Sequence, residues 1–342
     1  MAETLSASDL VAIAEVLDGA GVSVAAPLHS DLIAGGRSNL TFRLTDGAHS
    51  WVLRTPPRRG RTPSAHDVAR EYRVTAALRT SAVPVPAAVA VCEDEGLIGG
   101  PFLISEYVGG RSIQVRTELE DLGRETVSAL VETLVETLAA LHAVDHVAVG
   151  LERFGRPDEY AARQLRRWSG QWELVGTPGV DGLAREVSAA LGSAVPVQRA
   201  TGIVHGDYRI DNTIVDLDGA DPRIAAVVDW ELSTIGDPVA DVATMCAYRT
   251  PVFDLLIGAP CAWTSPMLPD VAELAALYER VSGGVLADWD FHLALAYFKV
   301  AVIAAGIDHR RRSGSGSGPG FDTAGESVEP YLELARAALG GD

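Results

Sequence analysis

Residues 203–237 have the sequence IVHGDYRIDNTIVDLDGADPRIAAVVDWELSTIGD, and the rest of the chain is interpreted from this stretch. Two apolar runs, around Ile214 and over 224–228, are rich in β-branched residues and predict short β-strands. Polar side chains stand at the ends of these runs: His205, Asp207, Asp211, Asn212, Asp229 and Glu231. Strands that end in carboxylates and an amide hold these groups at fixed places. The stretch therefore predicts a site rich in oxygen ligands.

The bulk properties predict a globular protein of two domains or one bilobal unit. The chain has 342 residues, of which 47% are hydrophobic and 22% charged. A net charge of −18 argues against nucleic acid or an anionic membrane as the main partner. The N-terminus has no signal pattern, and the apolar run 293–307 is too short to cross a bilayer. We therefore expect a cytoplasmic protein without a membrane partner.

The first hundred residues show the alternation expected of an antiparallel sheet. Residues 40–45 and 51–54 predict two strands joined by a turn at Asp46-Gly47. A glycine-containing turn, 35–39, precedes them. Such a turn can donate backbone N–H groups to phosphates, although an ordinary hairpin loop has the same pattern. Residues 88–92 and 101–108 predict further strands, and Gly109-Gly110 predicts a hinge.

Helical periodicity dominates the remainder of the chain. Helices are predicted over 124–144, 159–172, 238–248, 271–281, 289–308 and 329–339, with another around 187–191. The stretch SGSGSGPG at 313–320 predicts a flexible loop. Strands early and helices with one short strand pair later make the fold class α+β.

The spacing of the polar residues in 203–237 suits phosphoryl transfer. That reaction requires a carboxylate that orients the attacking hydroxyl and accepts its proton, and oxygen ligands for Mg²⁺. Asp207 suits the first role, whereas Asn212 and Asp229 suit the second. The alternative is a purely structural role, in which these residues form a capped turn followed by an acid at a strand end.

With these residues the chain resembles the aminoglycoside phosphotransferase family, whose fold is similar to that of protein kinases. The family pattern H-G-D-x-x-x-x-N matches 205–212, and the metal-binding acid matches Asp229. The family's bracing acids match Asp237 and Asp241. More narrowly, Gly36-x-Ser38-Asn39, the Val-Leu-Arg of 52–54 and the Asp-Trp-Glu-Leu of 229–232 resemble the kinase-like domains fused to some acyl-CoA dehydrogenases.

The resemblance implies a bilobal protein-kinase-like fold. Residues 1–108 would form an ATP-binding lobe with an antiparallel β-sheet and one main helix, and the hinge would lie at 105–110. Residues 111–342 would form a mostly helical lobe that carries the catalytic strand pair and binds the substrate. The flexible loop is expected at 311–320.

The resemblance also implies a nucleotide site in the N-terminal lobe. Arg54 stands where kinases keep the ATP-binding lysine, with Glu71 as its ion-pair partner; the alternative for Arg54 is a surface cation. The phosphate-binding turn would contain Gly36, Ser38 and Asn39, and the backbone at Glu106 and Val108 would bind adenine. Four further groups would bind or support the substrate or metal: His205, Arg209, Asp211 and Glu231.

The function expected from this pattern is an ATP- and Mg²⁺-dependent kinase that phosphorylates a hydroxyl of a small molecule. The alternative is a nucleotide-binding pseudokinase or regulatory module, which Arg54 keeps open. A protein kinase is disfavoured because seven residues between Asp229 and Asp237 leave no room for an activation segment. A P-loop kinase is excluded because GxxxxGK[ST] is absent.

The sequence leaves the substrate open between an aminoglycoside and a hydroxylated metabolite such as a hydroxy acid or its acyl-CoA thioester. Several basic groups would suit an anionic substrate or form plain surface: Arg163, Arg166, Arg167, Lys299, His309 and Arg310. The oligomeric state is not predicted.

Overall fold

The computed structural model describes residues 4–35, 39–57, 67–219, 221–315 and 318–340. The chain divides into two units. The first comprises Met1–Gly110 and Ala225–Ser233, and the second Arg111–Ile224 and Thr234–Asp342. The sequence predicts one C-terminal lobe over 111–342, whereas the structure groups Ala225–Ser233, which contains Asp229, with the first unit.

An antiparallel sheet forms the centre of the first unit, with the strand order β1-β2-β3-β5-β4. Its strands are β1 (His29–Gly35), β2 (Leu40–Thr45), β3 (Ser50–Thr55), β4 (Ala88–Cys92) and β5 (Phe102–Glu106). Strands β2 and β3 alternate as predicted, burying Phe42 and Leu44, then Trp51 and Leu53. The turn at Asp46-Gly47 is confirmed, with Gly47 at a φ of 87°.

Three helices accompany this sheet: α1 (Ala7–Gly19), α2 (Val68–Leu78) and α3 (Glu95–Ile98). Ser6 and Asp9 form a capping box that begins α1, whose Ile13 and Leu17 join the core beside Leu53. Asp67 caps α2, which contacts β4, β5 and the 3₁₀ turn Trp230–Leu232. Helix α2 therefore connects the sheet with the segment that contains Asp229.

The second unit is mostly helical. Its helices are α4 (Arg116–Glu120), α5 (Arg124–His142), α6 (Tyr160–Val175), α7 (Asp181–Ser193), α8 (Pro238–Ala247), α9 (Phe253–Ile257), α10 (Val271–Ser282), α11 (Trp289–Arg312) and α12 (Val328–Gly340). Short 3₁₀ turns lie at Pro178–Val180, Ile210–Asn212, Ala262–Thr264 and Ala324–Ser327. The longer predicted helices are confirmed, with ends that differ by a few residues.

Short strands carry the polar stretch from which the chain was interpreted. β6 (Gly202–Val204) pairs antiparallel with β9 (Thr234–Gly236). β7 (Thr213–Asp216) and β8 (Arg223–Val227) form the predicted strand pair. The α+β class, with an N-terminal antiparallel sheet and a helical C-terminal part, is confirmed.

Helix α11 lies at the core of the second unit, where it packs against α6, α8 and α12. Within the described residues it alone is long and apolar enough to cross a membrane, but 72% of its apolar window is buried inside the protein. Its burial matches that of a core helix. It extends to Arg312, so the first two residues of the predicted flexible loop at 311–320 are helical.

Candidate functional site

The loop after β6 is held by one buried carboxylate. Asp241, in the first turn of α8, accepts hydrogen bonds from the backbone N–H of His205 at 2.6 Å and of Gly206 at 2.8 Å. Gly206 has a φ of 84°, in the left-handed region that a side chain disfavours. The glycine and the carboxylate together fix the backbone immediately before Asp207.

Asp241 is itself oriented by a buried histidine. The His142 ring, at the end of α5, lies 3.2 Å from the Asp241 carboxylate through Nε2 and 2.7 Å from the Tyr278 hydroxyl through Nδ1. Burial alone would raise the pKa of Asp241, but His142 and the His205 N–H outweigh it and lower this pKa. Asp241 therefore stays ionised and keeps accepting both backbone hydrogen bonds.

The carboxylate of Asp207 is fixed by its neighbours in the same loop. Asn212 donates through Nδ2 to Asp207 Oδ2 at 3.0 Å and to the Asp207 carbonyl at 2.8 Å. Arg209 Nη1 lies 3.4 Å from Asp207 Oδ1. Because its amide nitrogen is used in this way, Asn212 keeps its amide oxygen as the atom suited to a cation.

Arg209 is engaged inside the protein. Its guanidinium makes a bidentate pair with Asp211 at 2.8 and 2.9 Å and lies over the rings of Tyr248 and Phe253. Burial alone would lower the pKa of Arg209, but the charges of Asp207 and Asp211 outweigh burial and raise this pKa. The guanidinium thus supports the loop, whereas the sequence suggested contact with phosphate or substrate.

Tyr248 is a further neighbour of Asp207 that sequence reasoning missed. Burial raises the pKa of Tyr248, and the charge of Asp207 and a hydrogen bond to it raise that pKa further. The hydroxyl therefore stays protonated and donates to the carboxylate. No local motif indicates this residue, because it follows α8 and meets Asp207 only through the tertiary fold.

His205 lies inside the loop and supports it. It is fully buried, its Nδ1 accepts from the Asp207 N–H at 3.3 Å, and its ring packs edge-on against Tyr208. The Tyr208 hydroxyl in turn donates to the Leu134 carbonyl on α5 at 2.7 Å. The structure thus brings the predicted residues of the pattern at 205–212 together around Asp207.

A second cluster lies within the first unit, around Arg54 on β3. The predicted ion pair between Arg54 and Glu71 is confirmed, through Nη1. Arg54 Nη2 also binds Asp229 Oδ1 at 2.9 Å. Asp229 adopts a φ of 65°, which is rare for a residue other than glycine and indicates a backbone held by its surroundings.

Burial shapes the electrostatics of this cluster. It raises the pKa of Glu71, and the charge of Asp229 adds to that effect, while Arg54 opposes it. Burial alone would lower the pKa of Arg54, but the charges of Glu71 and Asp229 outweigh burial and raise this pKa. Arg54 is therefore a permanent cation between two acids, not the exposed strand residue of the alternative interpretation.

The other predicted residues lie as follows. Asn39 Nδ2 donates to Glu231 at 3.3 Å within the first unit, while Gly36 and Ser38 fall outside the described residues. The Glu106 N–H donates to the Ala87 carbonyl at 2.9 Å, so an adenine would need other backbone groups of this segment.

Val108 lies in the short non-regular stretch after β5. Asp237 caps α8 by accepting from the Val239 N–H at 3.0 Å, and burial raises the pKa of Asp237. A role as a brace at the start of α8 agrees with this contact.

In the part of the chain that the structure describes, acidic and histidine side chains form no ready-made metal cage. Among the residues described, no group of three or more His, Cys, Asp or Glu side chains could hold a metal ion. Mg²⁺ that acts on nucleotides is usually bound by one or two protein carboxylates and by the phosphates themselves. Asp229 in the first unit, with a side chain 27% exposed, and Asn212 in the second unit, through its amide oxygen, each offer an oxygen atom suited to such a cation.

Comparison with known proteins identifies the family of this chain. The model of the phosphotransferase enzyme family matches residues 29–277. Among curated proteins, the mouse acyl-CoA dehydrogenase family member 10 is 35% identical over 88% of this chain and 28% of its own length. The human acyl-CoA dehydrogenase family member 11 is 32% identical over 93% of this chain and 41% of its own length. The chain thus spans about two fifths or less of these relatives.

Solved structures include similar chains. A protein from Ralstonia eutropha JMP134, provisionally assigned as an aminoglycoside phosphotransferase, is 32% identical, with a TM-score of 0.81 over 98% of this chain and 99% of that one. A thermostable mutant of the aminoglycoside phosphotransferase APH(4)-Ia, in complex with AMP-PNP and hygromycin B, has a TM-score of 0.64 at 18% identity, covering 98% of each chain. At that identity the likeness concerns the fold alone.

Proposed function

Because this chain belongs to the phosphotransferase enzyme family, we propose that it is an ATP- and Mg²⁺-dependent kinase that transfers the γ-phosphate to a hydroxyl group of a small molecule. Asp207 is the proposed base. The observation that carries this proposal is the fixed carboxylate of Asp207, held by Asn212 at 3.0 Å and approached by Arg209 at 3.4 Å. A base must be oriented before the hydroxyl arrives, and these contacts orient it.

The residues present fit a nucleotide and its metal. The buried, permanently charged Arg54 suits an anionic phosphate, because a guanidinium binds such groups through paired N–H donors. Asp229 and Asn212 offer the oxygen atoms that Mg²⁺ prefers, and we propose them as its ligands. When bound, Mg²⁺ would neutralise charge on the phosphate oxygens.

The protein itself supplies little covalent chemistry in the proposed reaction. The acceptor hydroxyl attacks the γ-phosphorus, the bond from that phosphorus to the bridging oxygen breaks, and ADP leaves with the electron pair. Asp207 takes the proton of the hydroxyl as the new P–O bond forms. Asp241 keeps Asp207 in place through the backbone of the two preceding residues, His205 and Gly206.

A nucleotide-binding module without turnover is the second candidate, and Arg54 is the observation that favours it. Lysine is the residue that kinases use at this position, and arginine is not a conservative replacement. In this chain, however, Arg54 pairs with both Glu71 and Asp229, so one guanidinium reaches the acids of helix α2 and of segment 225–233. This pairing of one guanidinium with two acids supports an active nucleotide site.

The acceptor is proposed from the relatives. The Ralstonia protein and APH(4)-Ia point to aminoglycosides, whereas the curated relatives are named as acyl-CoA dehydrogenase family members. We propose a hydroxylated metabolite, such as a hydroxy acid or a hydroxyacyl-CoA, because the curated relatives, at 32–35% identity, are named for acyl-CoA chemistry. An aminoglycoside remains the competing acceptor.

An ATP-consumption screen tests the function. Purified protein is incubated with Mg²⁺, ATP and either aminoglycosides or hydroxyacyl compounds, and ADP release is followed. We expect acceptor-dependent ADP release with hydroxyacyl compounds, loss of it in Asp207→Asn, and its retention in the control Asp145→Asn, whose exposed acid accepts only from the N–H groups of Val147 and Ala148 among the contacts described. Turnover of several aminoglycosides would overturn the metabolite assignment, and tight ATP binding without turnover of any acceptor would favour the regulatory module.

A further inference from the structure

Lys299, on helix α11, reaches the loop that carries the proposed base. Its ammonium group donates a hydrogen bond to the carbonyl of Gly206 at 3.2 Å. Lys299 is the single lysine of the chain, which contains 28 lysine and arginine residues together. Its neighbours in sequence, Phe298 and Val300, are fully buried. An ammonium group is costly to place in such surroundings, so its position against this loop calls for a role there.

The peptide group that leads into Asp207 is held at both of its ends. Its carbonyl, from Gly206, accepts from Lys299, and its N–H, from Asp207, donates to His205 Nδ1 at 3.3 Å. A peptide group is planar, so hydrogen bonds at its two ends fix the orientation of the whole plane. The Cα atom of Asp207 is part of that plane. The direction in which the Asp207 side chain leaves the backbone therefore depends on Lys299.

Two acids of the second unit act on the ammonium group. Burial lowers the pKa of Lys299, and the charges of Asp207 and Asp241 act against burial. Asp241 is the carboxylate that accepts from the Gly206 N–H at 2.8 Å. Gly206 is thus held from α8 by an anion at its N–H and from α11 by a cation at its carbonyl.

We infer that Lys299 is a positioning residue of the proposed reaction, whose ammonium group holds the Gly206 carbonyl and so aims the Asp207 carboxylate at the acceptor hydroxyl. This inference rests on the proposed kinase function and deepens it. A charged donor suits this role because hydrogen bonds from ionised groups are roughly twice as strong as those between neutral groups. Lys299 acts through the backbone and does not touch the acceptor.

The alternative role for Lys299 is plain packing between α11 and the loop. Methionine has a similar length and would fill the same space without donating a hydrogen bond. Arginine would keep a charged donor on a longer side chain. The two substitutions therefore separate packing from positioning.

Steady-state kinetics with the best acceptor of the ATP-consumption screen tests the role. Lys299→Met should lower kcat about 10–10²-fold, as expected when a catalytic group is misplaced, without changing the Kd of a non-hydrolysable ATP analogue. Lys299→Arg should recover most of this loss. The control Ile307→Val, at a site 4% exposed on the same helix, should lower the melting temperature without changing kcat. Unchanged kcat in Lys299→Met, or an equal loss in Ile307→Val, would overturn the inference.

The pH profile provides a readout that packing alone would not change. Charged and titratable groups face Lys299 from the loop (Asp207, Arg209), from α8 (Asp241), from α6 (Tyr160, Arg167) and from α11 itself (His292). Burial raises the pKa of Tyr160 and lowers that of His292, so both are neutral at mildly alkaline pH. The charged form of Lys299 exists below its own pKa. We therefore expect kcat of the wild type to fall as pH rises through that pKa, and Lys299→Arg to keep its kcat; parallel profiles would contradict the inference.

The single lysine allows its pKa to be measured directly. Protein labelled with ¹³C and ¹⁵N only at lysine gives the side-chain NMR signals of Lys299 alone. We expect a pKa below the ordinary lysine value, and a further decrease in Asp207→Asn, because that substitution removes an attractive charge. The control Asp145→Asn should leave this pKa unchanged. Equal pKa values of Lys299 in the wild type and in Asp207→Asn would overturn the coupling between the ammonium group and the base.

Failure of this inference is distinguishable from failure of the kinase function, because the NMR titration requires no turnover. A lowered Lys299 pKa in Asp207→Asn, together with a wild type that forms no ADP with any acceptor, would refute the kinase function alone. ADP formation by the wild type, with the same kcat in Lys299→Met, would refute the positioning role alone.

Discussion

Replacing Arg54 by methionine removes the cation of a buried cluster in the first unit. Arg54 and Glu71 have side chains only 12% and 6% exposed, and Arg54 also binds Asp229 at 2.9 Å. Methionine keeps most of the side-chain volume but leaves the Glu71 carboxylate buried without a counter-ion. Breaking a buried pair from one side costs about 3–5 kcal/mol, so we expect the free energy of unfolding to fall by that amount.

A double-mutant cycle makes this expectation specific. Glu71→Gln removes the second charge, so the double variant Arg54→Met/Glu71→Gln no longer buries an uncompensated ion. Its loss of stability should be smaller than the sum of the two single losses by about 1–3 kcal/mol. Arg280→Met, which removes an exposed partner of Glu132 at 3.6 Å, should change stability little and serves as the matched control.

The pH dependence follows from the sign of the Glu71 shift. Burial raises the folded-state pKa of Glu71, and Arg54 opposes this, so Arg54→Met should raise that pKa further. A raised carboxyl pKa favours the folded state at low pH, and this contribution is lost as pH rises through the folded-state value. The stability loss in Arg54→Met should therefore be smaller at mildly acidic than at mildly alkaline pH.

Urea unfolding followed by circular dichroism, at both pH values, measures these differences. A loss below about 1 kcal/mol in Arg54→Met, at a pH where Glu71 is ionised, would refute the claim that Arg54 compensates a buried charge. Strict additivity in the cycle would refute the direct coupling between the two side chains.

Three further predictions concern the loop that holds Asp207. Asp241→Asn should lower the free energy of unfolding by about 2–5 kcal/mol, because one of two buried backbone donors loses its acceptor; unchanged urea unfolding would refute this. The wild type should lose stability as pH falls through the lowered pKa of Asp241, and this acid dependence should be weaker in Asp241→Asn; parallel pH profiles would count against it. Gly206→Ala should lower the free energy of unfolding by about 1–2 kcal/mol, because alanine disfavours the φ of 84° at this position. The control Gly192→Ala, in α7 with open space around it, should not lower this free energy. Equal effects of the two substitutions in thermal melts would contradict the prediction.

Local patterns predicted the first unit because its structure is set by neighbours in sequence. Alternation over β2 and β3 and the glycine of the Asp46-Gly47 turn sufficed for the hairpin. The Arg54–Glu71 pair followed from the family resemblance, and its geometry is confirmed. The grouping of segment 225–233 with the first unit was beyond such patterns, since it depends on packing against α2.

In the candidate site, too, contacts between sequence neighbours were predicted and contacts made by tertiary packing were not. The HGD pattern located Asp207 and Asn212, because their contact spans five positions. The contacts of Tyr248 and His142 were not predicted, because they join elements far apart in the sequence. Lys299, which the sequence assigned to an anionic substrate or to plain surface, donates to the Gly206 carbonyl at 3.2 Å.

Phosphorylation of an acceptor, followed directly by mass spectrometry, tests the central claim. Wild-type protein with Mg²⁺, ATP and a hydroxycarboxylate should yield an acceptor heavier by one phosphoryl group. Asp207→Asn should bind ATP as the wild type does but form this product about 10²–10⁴-fold more slowly, as expected for loss of a general base. Equal product formation by Asp207→Asn, or no phosphorylated acceptor from folded, ATP-bound wild-type protein with any hydroxyl compound, would contradict the account.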